Sequence, residues 1–144
     1  MKQCSYCLFL SLTVLVVVIG CSNKMPFGGK VTFSDDGTPV TRGAVFFESP
    51  TLVGQGKINA DGTYAIGTDK MTDGLPAGTY RVYLVGTEQA EIKVVETKDG
   101  KGQTEIRTPV IDPKYASAET SGLSVTVGGG TKKFDIQVDR YSGK

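Results

Sequence analysis

The residues able to do chemistry in this chain are few, and what is missing is as informative as what is present. His is absent from all 144 residues. A Ser-His-Asp or Cys-His nucleophilic site therefore cannot be assembled, and the commonest zinc ligand is lacking. Carboxylates gather in two turns. Asp69, Asp73 and Gly74 have part of the spacing of a calcium-binding loop, but its third position falls on Met71 and its twelfth on Tyr80, neither a carboxylate. Asp35-Asp36-Gly37 can contribute to a calcium site at one end of a β-sandwich, although Asp-Gly is also ordinary turn chemistry, and both stretches read as turns. Lys30 is placed for an isopeptide cross-link to an Asn in a closing strand, but the Asn residues after position 21 are Asn23 and Asn59, and neither lies there. General acid/base work would fall on carboxylates with no recognisable pairing. Catalytic, metal and cofactor assignments are accordingly none. Tyr83 and Tyr115 are the aromatic residues expected to be exposed and to contact a ligand such as a sugar ring.

The N-terminus carries the strongest single signal. Lys2 precedes an apolar run from Leu8 to Ile19 interrupted only by Ser11 and Thr13, and Gly20 closes it. This is the pattern of a signal peptide over residues 1–20, and it falls short of the roughly 20 apolar residues a bilayer-spanning helix needs. Val18-Ile19-Gly20-Cys21 resembles the lipobox of bacterial lipoproteins, in which the Cys thiol accepts the acyl-glyceryl group and the small preceding residue admits the peptidase. Cys4 and Cys7 then lie in the discarded segment, so their spacing is not a redox or zinc motif, and Cys21 is left as the only Cys of the mature chain. The 16 basic residues lose only Lys2 on cleavage, leaving 15 against 15 acidic ones. A neutral mature protein gives no electrostatic reason to bind nucleic acid.

The elements that position these residues read as strands. With 19 Gly, no Trp and no convincing helical periodicity, the chain favours short strands joined by tight turns. Residues 21–28 are expected to be a lipidated tether, 29–139 a single domain and 140–144 a tail. Gly29–Phe33 and Gly43–Glu48 are predicted to form a first hairpin, and Ile58 to Ile66 a second about Asn59-Ala60-Asp61-Gly62. Leu75-Pro76-Ala77-Gly78 launches the longest strand, Thr79–Val85, which is apolar on both faces and is expected to be central. Its Tyr80 has the place of a tyrosine corner. Ile92 and Val94 are expected to face inward, 96–108 to be a mobile loop, 109–115 to be pinned by its prolines, and Leu123–Val127 with Phe134–Val138 to close the domain as a hairpin. About eight strands with regular turns predict an all-β, antiparallel sandwich.

The motifs Gly29-Lys30-Val31, Asp36-Gly37-Thr38-Pro39-Val40, Gly43–Phe47, Asp61-Gly62-Thr63-Tyr64 and Leu75-Pro76-Ala77-Gly78-Thr79-Tyr80-Arg81-Val82 together resemble the carboxypeptidase regulatory-like family. The resemblance covers Gly29 to about Val95 and implies a transthyretin-like sandwich of about seven to eight strands. Pro113-Lys114-Tyr115 with Thr120-Ser121-Gly122-Leu123 is similar to small bacterial lipoproteins that carry this domain alone. Transthyretin-like hydrolases of 5-hydroxyisourate use His and end in Tyr-Arg-Gly-Ser. Tyr141-Ser142-Gly143-Lys144 departs from that ending at Ser142. What these readings imply is an exported, membrane-anchored, non-catalytic lipoprotein of the cell envelope, acting as an interaction or scaffold module toward an envelope protein, with a carbohydrate or cell-wall polymer binder as the alternative.

Overall fold

The computed structural model describes residues 24–143, apart from the side chain of Thr97. The signal peptide, Cys4, Cys7 and the acyl acceptor Cys21 lie outside the described residues. Nine strands follow one another: β1 (Gly28–Phe33), β2 (Ala44–Glu48), β3 (Val53–Lys57), β4 (Thr63–Ala65), β5 (Gly78–Val85), β6 (Gln89–Thr97), β7 (Gly100–Thr108), β8 (Leu123–Val127) and β9 (Ile136–Val138). A single 3₁₀ turn at Pro113–Ala116 interrupts them, capped by the Asp112 carboxylate accepting from the Lys114 backbone N–H.

The strands form a three-stranded sheet in the order β4-β1-β9, a four-stranded sheet in the order β3-β2-β5-β8, and a separate ribbon of β6 and β7. The all-β prediction holds at this level. Pairing is antiparallel except between β1 and β9, which run parallel with Val31 beside Ile136 and Phe33 beside Val138. Three expected hairpins are corrected. β1 and β2 belong to different sheets, as do β3 and β4, and as do β8 and β9. The turns between them carry the chain from one layer to the other. Asp36-Gly37-Thr38 and Asp61-Gly62-Thr63 build the same device twice: the Asp carboxylate accepts from the Thr backbone N–H (2.9 and 3.0 Å) and the Thr hydroxyl (2.7 and 2.6 Å). Gly37 and Gly62 supply the positive φ.

Alternation along each strand sends one side chain in two to a shared core. Val31 and Phe33 of β1, Ile136 and Val138 of β9, Val45 and Phe47 of β2, and Tyr80, Val82 and Leu84 of β5 are all buried there. Phe47 is the hub, with Phe27, Tyr64, Tyr80 and Phe134 ringing it at centroid distances of 5.7–6.4 Å. Burial of a side chain of this size contributes about 1.5–3 kcal/mol. β5 is central, between β2 and β8, as expected. The tyrosine corner forms, with the Tyr80 hydroxyl donating to the Pro76 carbonyl at 2.9 Å.

The folded unit extends beyond the expected limits of 29–139. Phe27 is part of the core, and Lys24 pairs with Asp73 at 2.7 Å and with Asp69. At the other terminus the Tyr141 N–H donates to the Val110 carbonyl, and Arg140 is tied to Asp35 and Asp36. The two ends of the unit are distinct. Met25 meets Leu75 at the end where β5 begins, whereas Asp35, Asp36 and Arg140 sit beyond the C-terminal ends of β1 and β9.

Candidate functional site

Each carboxylate cluster singled out in the sequence is occupied by a cation of the chain itself. Arg140 donates to Asp35 and to Asp36 at 2.8 Å each and to the Thr38 hydroxyl at 2.7 Å, while its guanidinium lies 3.7 Å from the centre of the Phe33 ring. Asp36 is lowered to about 2, first by the Thr38 hydroxyl and backbone donors and further by Arg140. Beside it, Asp139 accepts from Lys114 at 2.5 Å, Ser34 at 2.7 Å and Tyr115 at 3.1 Å, and these donors hold it at about 2. In the other loop, Asp73 accepts from Lys24 and from the Thr68 N–H (2.6 Å), which keeps its carboxyl well below the usual range. Among the described residues no three His, Cys, Asp or Glu side chains converge as a metal site.

The two candidate tyrosines separate. Tyr115 is a correction: it is 6% exposed, a member of the core, and its hydroxyl serves Asp139. The Pro109–Tyr115 segment is pinned as expected, and the pinning is what buries this ring. Tyr83 stays half-buried on the outer face of the four-stranded sheet. It stacks on Phe46, its neighbour across the β2–β5 ladder, with centroids 5.1 Å apart and planes at 11°. Glu48 and Arg81 form an ion pair at 3.4 Å next to this stack, and Val53 and Val85 extend its apolar surface. Lys30 is an exposed β1 residue opposite Thr63, and Asn59 donates to the Thr63 hydroxyl.

The largest departure from expectation is the ribbon. Residues 96–108, read as a mobile loop, are mostly the nine-residue strand β7, and it pairs with β6 in register from Gln89–Thr108 to Thr97–Gly100. Lys98 and Asp99 alone make the connection. Ile92 and Val94, expected to face inward, are 70% and 64% exposed, because β6 has left both sheets and, among the described residues, pairs with β7 alone. Opposed pairs share a face, so one face carries Ala90, Ile92 and Val94 and the other Glu91, Lys93, Val95 and Ile106. The Asp99-Gly100 pair was the sequence signal for this hairpin. The polar, Gly-containing run that follows it lacks the apolar alternation by which a buried strand is recognised.

Cavities are shallow. One of about 500 Å³ opens over Lys30, Thr32, Lys133, Asp135 and Gln137, and another of about 240 Å³ lies beside Met71 and Lys57. Neither joins an apolar lining to converging polar groups in the way a small-molecule site does.

No family model matches the chain, and no curated protein matches it. Among solved structures it is similar to the major pilin subunit of Bacillus cereus, at 10% identity and a TM-score of 0.44, over 81% of this chain and 30% of the pilin. It is also similar to a 9R-lipoxygenase from Cyanothece PCC8801, at 14% identity and a TM-score of 0.34, over 79% of this chain and 16% of the enzyme. The chain thus spans less than a third of either protein.

Proposed function

We propose that this protein is a non-catalytic interaction module of the cell envelope, held to a membrane through acylated Cys21 and offering the β6–β7 ribbon to a protein partner. The observation that carries the reading is the exposure of Ile92 and Val94 on a ribbon with no third strand among the described residues. Apolar side chains projecting from open strand edges are the material of strand-addition interfaces. The charged loop ends, by contrast, are engaged with one another. The lipobox-like Val18-Ile19-Gly20-Cys21 supports the address, and the two Asp-Gly-Thr turns with the tyrosine corner support a transthyretin-like sandwich from which the ribbon departs.

The test is cross-linking of the full chain in intact cells, with mass identification of what is recovered. A discrete adduct that disappears in Ile92→Asp and in Val94→Asp supports the ribbon as the contact. An adduct unchanged in both variants removes it.

A second reading has its own observation. The half-buried Phe46–Tyr83 stack, flanked by the Glu48–Arg81 pair, is a flat aromatic surface with hydrogen-bonding rims, suited to a sugar or wall polymer. Loss of glycan retention in Tyr83→Ala with Ile92→Asp unaffected would favour it over the ribbon.

A further inference from the structure

The ribbon's own sequence selects a partner. β6 pairs with β7 on one side, and the main chain of residues 89–97 has no backbone partner on the other side among the described residues. Such an edge accepts another strand, and charged residues along it determine which one. Neither Glu91 nor Lys93 has an ion-pair partner among the described residues. Most charges at the ends of the folded unit are paired.

Consider β6 facing a second β6 in the antiparallel sense, with a two-fold axis perpendicular to the sheet. One residue then opposes its own copy, and opposed residues share a face. With the axis at Ile92, Glu91 of each chain stands opposite Lys93 of the other, Ile92 opposes Ile92, and Ala90 opposes Val94. Gln89 to Val95, seven of the nine residues of β6, fall within the pairing. Moving the axis to Lys93 opposes two ammonium groups, and moving it to Glu91 opposes two carboxylates. An axis at Val94 sets Ile92 against Glu96. The like-charged contact left in the favoured register is Glu96 with Glu88, which lies outside the strand beside Arg42. The β7 edge is less suited. Its Glu105 and Arg107 already pair within the strand at 3.0 Å, and a register centred on Ile106 runs past Thr108.

We infer that the chain self-associates through β6, two copies joining their ribbons into a continuous four-stranded sheet about a two-fold axis at Ile92. This rests on the interaction-module reading and names the partner as a second copy of the chain.

The test uses the full chain in density-matched detergent, followed by sedimentation over a concentration series. The wild type is expected to reach the mass of a dimer. Lys93→Glu opposes carboxylate to carboxylate at both symmetric positions and weakens association by roughly ten-fold or more. The double variant E91K/K93E restores the opposite-charge pairs in exchanged positions and should recover wild-type association, an outcome that a general surface effect would not produce. Dimerisation indifferent to Lys93→Glu, or not rescued by the double variant, overturns the register and with it the proposal. A wild type that remains monomeric also overturns it. In that case, in-cell adducts lost on Ile92→Asp would leave the interaction-module reading standing, and adducts unchanged by Ile92→Asp would remove both.

Discussion

Met25 and Leu75 exchange both of their backbone hydrogen bonds, N–H to carbonyl at 2.9 Å in one direction and 3.0 Å in the other. Met25, read as part of a tether, thus makes a ladder rung with the turn that starts the central strand. Gly74 allows the approach. Its φ is +89°, and a Cβ there would lie 2.0 Å from the Met25 carbonyl oxygen. Gly74→Ala is therefore expected to destabilise the protein by about 3 kcal/mol, by adding a left-handed backbone penalty to a clash with main-chain atoms. Chemical denaturation measures it, and a loss under 1 kcal/mol would mean that the N-terminal segment contributes little to the fold.

The acidic clusters make stability depend on pH in a defined window. Asp36 and Asp139 are both held at about 2 in the folded chain by their donors, against about 3.9 when unfolded. A carboxyl depressed by folding stabilises the native state fully above its unfolded value and loses that contribution as the pH falls through its folded value. The melting temperature should hold between pH 7 and 5 and decline from about pH 4 to 2. Replacing both residues by Asn should lower the plateau and flatten the decline. Thermal melts followed by circular dichroism would show it, and parallel curves for variant and wild type would exclude these two residues as the cause.

Tyr80 is nearly fully buried, and its hydroxyl reaches the Pro76 carbonyl. Tyr80→Phe keeps the ring and removes one hydrogen bond, so a loss of about 0.5–1.5 kcal/mol is expected. Tyr80→Ala also empties the space beside Phe47 and should cost about 3–5 kcal/mol. Equal losses in the two variants would show that the hydroxyl, rather than the ring, accounts for the role of this residue.

The proposed acylation of Cys21 predicts a change of address on a single substitution. Cys21→Ser should move the protein from the membrane fraction to the soluble or uncleaved pool, and mass spectrometry of the wild type should find diacylglyceryl on residue 21. A soluble wild type with an unmodified thiol would contradict the lipoprotein reading.

Local chemistry was legible in the chain, and pairing was not. The Asp36-Gly37-Thr38 and Asp61-Gly62-Thr63 turns and the Tyr80 corner depend on neighbours within four residues, and all three form, although the two turns cross between sheets instead of closing the expected hairpins. Alternation shows that a strand has a buried face but not which strand lies beside it, and a Gly-containing turn serves a crossing between layers as well as a hairpin. The three expected hairpins failed for that reason. Ile92 and Val94 alternate with Glu91 and Lys93 just as a core strand does, because alternation cannot distinguish a face buried in a core from one left exposed. Tyr115 failed in the opposite direction: the Asp139 that its hydroxyl meets is 24 residues away in sequence.

The parallel pairing of β1 with β9 bears on how the domain carries force. β1 enters from the Met25 end and β9 leaves toward Arg140 at the opposite end, with Val31, Thr32 and Phe33 beside Ile136, Gln137 and Val138. Tension applied between the two termini therefore runs along the axis these neighbours share. It loads their hydrogen bonds together, in shear, instead of peeling them one at a time from an edge. Arg140, clamped to Asp35 and Asp36, adds a transverse tie at the point where the pull leaves the fold. Pulling the folded unit from its two ends would therefore have to shear this pairing before either strand could leave the sheet.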